Sequence, residues 1–233
     1  MRTSSFLAIH NHRLRRFVGV SVAAVGAALL IVSCSNAPSV PKPLESMGRY
    51  SENLYDAARA NDWTAAVAQL DTLKRAATDL STIGNTSTEL KADVNAQLAV
   101  IDTSVSNRNR AATLRAANEV TRLAAELARP YKPSVPVEIT LLDYSGRELK
   151  LWAEVGDLAK LHDATTAMRQ TWNAVRKTVE GRPNGVAVAA SFEALVSRAD
   201  AATTVSDYAA VATPILDQVD KLEGVFTKPI APG

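Results

Sequence analysis

Beyond residue 33 the chain holds one histidine and one cysteine, and the two bound its chemistry differently. His162 is followed by Asp163 and falls between Leu158 and Thr165 on an apolar stripe, so it reads as a core histidine held by a polar neighbour. Its sharper roles would be ligand or general base. The densest polar group lies upstream at Asp143, Tyr144, Arg147 and Glu148, around Gly146. On a helix, Asp143 pairs with Arg147 and Tyr144 with Glu148, each four residues apart. The bland reading is a solvated face with one salt bridge. The functional reading is a ligand or partner site where the bare Cα of Gly146 lets something approach. These five residues, Asp143, Tyr144, Arg147, Glu148 and His162, are the ligand or partner candidates.

With one histidine there is no haem-attachment CxxCH, no Glu-x-x-His pair and no HExxH. A glycine-rich phosphate loop and a nucleophile elbow are absent as well. No metal site, catalytic residue or cofactor is therefore assigned. Two alternatives stay open: a haem or metal carrier bundle, and an envelope enzyme using carboxylates and His162. A Met–His haem pair fails on distance, because Met47 and His162 would sit roughly 39 Å apart along parallel helices.

Cys34 stands at the end of a patterned amino terminus. Arg2, Arg13, Arg15 and Arg16 precede an uncharged, mostly apolar run from Phe17 to Val32, with no acidic residue among them. That order is an export signal. The run of 16 residues falls short of the ~20 a transmembrane helix needs. Ile31-Val32-Ser33-Cys34 resembles the lipobox of bacterial lipoproteins, with Val32 where a small residue is commoner. The resemblance covers the first 34 residues only. It implies removal of residues 1–33, acylation of Cys34 with palmitate-type chains, and stable attachment without spanning, since several chains anchor where one is marginal. Ser35 after the cysteine implies the outer membrane facing the periplasm in a Gram-negative host. The expected partners are the membrane, through the lipid, and another envelope protein.

Loss of the signal takes four arginines and no acid, leaving 22 Lys+Arg against 24 Asp+Glu, a net charge near −2. No basic stripe remains, so nucleic acid is not an expected partner. With Cys34 on lipid no disulfide can form, and stability must come from a packed core.

The elements that carry these residues follow from punctuation and periodicity. Residues 34–43, with three prolines, read as lipidated cysteine plus extended tether; 44–228 as a single helical-bundle domain; 229–233 as a tail. Four segments are marked by Pro43 and Gly84, by Thr86-x-x-Glu89 and Pro130, by Pro136 and Gly181, and by Asn184 and Pro229. Apolar residues recur at three and four throughout, for example Leu90, Val94, Leu98 and Ile101. Short connections favour an all-α antiparallel four-helix bundle of long helices. Polar caps near each middle (Asn61-Asp62, Asn107 and Asn109, Gly156-Asp157, Ser206-Asp207) leave open eight shorter helices instead.

A displacement of 95 residues matches Met47 to Leu142, Leu54 to Leu149, Leu73 to Met168 and Asn61-Asp62-Trp63 to Gly156-Asp157-Leu158. Asn118 to Leu123 resembles Asp217 to Leu222. Together these read as a duplicated helical hairpin. Val137, Ile139 and Leu141 alternate like a strand before Tyr144-Ser145-Gly146-Arg147, but the helical stripe favours helix from Pro136. Pro214 should kink the last segment.

Overall fold

In three of the four segments the polar residues at the middle are helix caps, and each segment is two helices rather than one. A computed structural model describes residues 39–84 and 87–227. Within them the chain forms α1 (Lys42–Arg59), α2 (Trp63–Asp79), α3 (Thr88–Ser106), α4 (Arg110–Ala128), α5 (Val137–Val155), α6 (Leu158–Glu180), α7 (Gly185–Asp200) and α8 (Val205–Thr227). Single 3₁₀ turns follow α2 and α4, and no strand occurs among the described residues. The longest helices have 23 residues, about 35 Å rather than the 60 Å of an unbroken segment.

The caps explain the breaks. Asp62, Asn109 and Asp157 accept hydrogen bonds from the backbone N–H of Ala65, Ala112 and Lys160, at 2.9, 3.1 and 3.0 Å. Such a side chain satisfies a donor the first helical turn leaves free. Asn61 and Gly156 precede two of these caps with φ of 58° and 75°. Two expected boundaries shift. The fourth break is capped by Thr204 rather than Ser206: Thr204 Oγ1 accepts from Asp207 N, and Asp207 Oδ2 accepts from Thr204 N. Ser87 caps α3, and Thr86 lies outside the described residues. Gly84 is not a left-handed cap, because the first segment ends in the 3₁₀ turn Leu80–Thr82. Lys42 and Pro43, expected in the tether, belong to α1, and Val40 packs on the core.

Short turns make hairpins of α1–α2, α3–α4, α5–α6 and α7–α8, whose members pack together. The hairpins combine in one pattern twice. Helix α1 packs on α4 and α2 on α3; α5 packs on α8 and α6 on α7. One apolar core belongs to α1–α4 and a second to α5–α8, with Leu151 of α5 reaching into the first. Helix α4 packs on α5, and these two are the most enclosed helices. No residue from Ala112 to Ala128, or from Val137 to Ala153, is exposed.

The 95-residue register extends across all four helix pairs. Every buried residue of α8, from Tyr208 to Leu222, lies 95 positions after a buried residue of α4. The same holds for Val94 with Ala189, Leu73 with Met168 and Met47 with Leu142. The match of Asn118 with Asp217 runs at 99 residues, one helical turn out of this register. Turn-length slips keep nearly the same face of a 3.6-residue helix, which is why that alignment looked plausible.

Candidate functional site

Helix α5 carries four of the predicted residues and divides them between two faces. Pro136 precedes its first turn and Gly156, in the left-handed region, ends it, so Val137–Val155 is one helix and no hairpin forms there. Gly146 is buried in its middle. A Cβ built there would stand 2.7 Å from Leu216 Cδ2, so what approaches the glycine is α8 of the same chain.

On one face, Arg147 Nη2 lies 2.8 Å from Asp143 Oδ2, and their side chains are only 13% and 16% exposed. This is no solvated salt bridge, because α1 and α8 cover it. The Arg147 guanidinium stacks over the Tyr55 ring at 4.9 Å, a cation–π contact. Arg147 Nη1 and Asp143 Oδ2 are buried without an aligned hydrogen-bond partner. Burial pushes the Asp143 carboxyl above the usual carboxylate range, with Arg147 opposing. Glu52 on α1 is pushed up to about 7 by burial, with Arg147 lowering it and Asp143, Glu223 and Asp56 raising it. Tyr55 rises to about 12 by burial. One guanidinium thus faces several carboxylates, and protons are the cheapest way to balance it.

On the other face, Tyr144 and Glu148 bond to α4 rather than to each other. Asn118 Nδ2, fully buried, donates to the Tyr144 carbonyl at 3.2 Å and to Glu148 Oε1 at 2.8 Å. Trp152 Nε1 donates to Glu148 Oε2 at 2.7 Å. Tyr144 OH donates to Glu119 Oε2 at 3.2 Å, and Glu119 also pairs with Arg122. Burial raises Glu148 despite its two donors, and raises Tyr144 as well. Tyr144, Glu148 and Trp152 form a strip between two clefts, about 320 Å³ toward α3 and α4 and about 240 Å³ toward α6.

A third cleft of about 320 Å³ lies between α1, α4 and the start of α5. Gly48, Ala124, Ala125 and Val137 are among its walls, and Glu52 lines it. His162 joins none of these sites. It is exposed on α6, so its place on a core stripe is overturned: Leu161 and Thr165 carry the buried face, and Leu158 is 47% exposed. Asp163 pairs with Lys160 at 3.6 Å instead of holding the imidazole. No group of His, Cys, Asp or Glu among the described residues is placed to hold a metal ion. Cys34 lies outside the described residues.

Sequence reasoning missed Glu52, Tyr55, Asn118 and Trp152. Asn118 left a trace, since it follows Ala116 and Ala117 on the apolar stripe of its helix. Glu52 left none, because its burial comes from α4 and the start of α5, far along the chain. No helix among the described residues is long and apolar enough to cross a membrane. Comparison with protein families, curated proteins and solved structures finds no match for this chain.

Proposed function

We propose that this chain is a lipid-anchored, extracytoplasmic binding or adaptor component of a bacterial envelope, built from two copies of a four-helix unit. The carrying observation is the placement of Cys34, the sole cysteine, directly after Ile31-Val32-Ser33 at the end of an arginine-led apolar run. A short proline-bearing stretch then leads to Val40, where the packed domain begins. The short connection would present the domain at the membrane. The 95-residue register of buried positions supports duplication of the whole four-helix unit, beyond a single hairpin. Strip residues Tyr144, Glu148 and Trp152 between two clefts are the surface for a partner.

The experiment is metabolic labelling with an alkyne fatty acid. The parent chain should carry label, and Cys34→Ser should lose it and stay at precursor size. Equal labelling of the variant would reject the anchor.

A further inference from the structure

The cleft between α1, α4 and α5 combines an apolar lining with one carboxyl that no described residue hydrogen-bonds. Ala124, Ala125, Ala128, Val135 and Val137 supply walls of short side chains. Glu52 closes one part of it, half-buried, and among the described residues no donor makes a hydrogen bond to its carboxylate. The lining cation and the one behind Glu52 are each turned onto a neighbour. Arg49 bonds the Tyr50 hydroxyl at 3.1 Å and stacks on its ring at 4.7 Å, while Arg147 is held by Asp143 and Tyr55. Glu45 adds a second carboxylate to the lining, and Asp143 and Glu223 act on Glu52 from behind.

The geometry points to a binding site for an amphiphile with a short apolar body and an ammonium head, the body against the alanines of α4 and the head on Glu52. An anionic head would meet the Glu52 and Glu45 carboxylates, with Arg49, the lining cation, turned onto Tyr50. A neutral alcohol would leave Glu52 to recruit a proton for itself. At about 320 Å³ the cleft is at the small end of ligand pockets, roughly 300–1,000 Å³, which suits one short chain rather than a fused ring system. Burial lifts Glu52 to about 7, so an ammonium that favours its ionised form should lose its hold as pH falls. The proposal needs no lipid on Cys34 and stands or falls apart from the anchor.

A diazirine-bearing octylamine, applied to the purified full chain at pH 7.5, tests it. Label should map to Leu44–Glu52 and Thr121–Ala128, and free octylamine should protect at a concentration at least tenfold below octanol or octanoate. Glu52→Gln should lose most labelling, as should the same chain at pH 5.5; Ala125→Phe should lose it by filling the cleft. Equal protection by octanol would mean a merely apolar groove and overturn the proposal, as would label elsewhere on the chain. If Glu52→Gln does not fold, the competition series in the parent chain decides alone.

Discussion

Asn118 on α4 reaches Glu148 on α5 at 2.8 Å, and this bond crosses the boundary between the two four-helix halves. Asn118 is wholly buried, so its amide has no water to fall back on. Asn118→Leu should strip Glu148 of a donor and cost about 1–3 kcal/mol, the penalty for a buried polar group left short of a partner. Paired with Glu148→Gln, which removes the charge, the loss should be smaller than the sum of the two single losses. Urea melts of the two singles and the double measure the coupling.

The two faces of α5 show what could and could not be foreseen. Helix class, the caps at Asp62, Asn109 and Asp157, and the 95-residue register are local or periodic signals, and they were legible. The exposure of Asp143 and Arg147 was not. A charged pair at i and i+4 looks solvated on one helix, and only the arrival of α1 and α8 buries it. His162 failed in the opposite direction: Leu161, Thr165, Met168 and Trp172 carry the buried stripe of α6, and His162, one residue past Leu161, lies about 100° round the helix from it.

Arg147→Ala should accordingly behave as loss of a buried partner, up to about 3–5 kcal/mol at pH 8, not as loss of a surface bridge. At pH 5 the deficit should shrink, because Asp143 and Glu52 can take up protons once the guanidinium is gone. Thermal melts at both pH values give the comparison.

Glu52, Asp143, Glu148 and Glu223 all have raised folded-state pKa values, led in each case by burial. A raised carboxyl binds its proton more tightly folded than unfolded. Its contribution is complete below the unfolded value, 4.5 for the glutamates and 3.8 for Asp143, and is lost as pH rises; for Glu52 the loss ends at about 7. The protein should therefore melt at higher temperature at pH 5 than at pH 7.5, and Glu52→Gln should flatten part of that slope.

Ser51 and Thr121 place their hydroxyls 2.9 Å apart between α1 and α4, and 95 residues later the same positions hold Gly146 and Leu216. A small polar pair in one half is replaced by an empty position and a larger side chain in the other. Gly146→Ser alone should cost about 1–3 kcal/mol by overpacking against Leu216. With Leu216→Thr added, most of that loss should return, since the pair then copies its counterpart. Failure of the second change to rescue would show that the halves pack differently at this layer.

The central claim is that the helical domain is carried on a lipidated Cys34, and its most direct measurement is the mass of the amino-terminal peptide of the protein taken from its host's membranes. The account predicts a peptide beginning at Cys34 and carrying a diacylglyceryl group, with no peptide from residues 1–33. An unmodified Cys34 inside a peptide that continues upstream would contradict it.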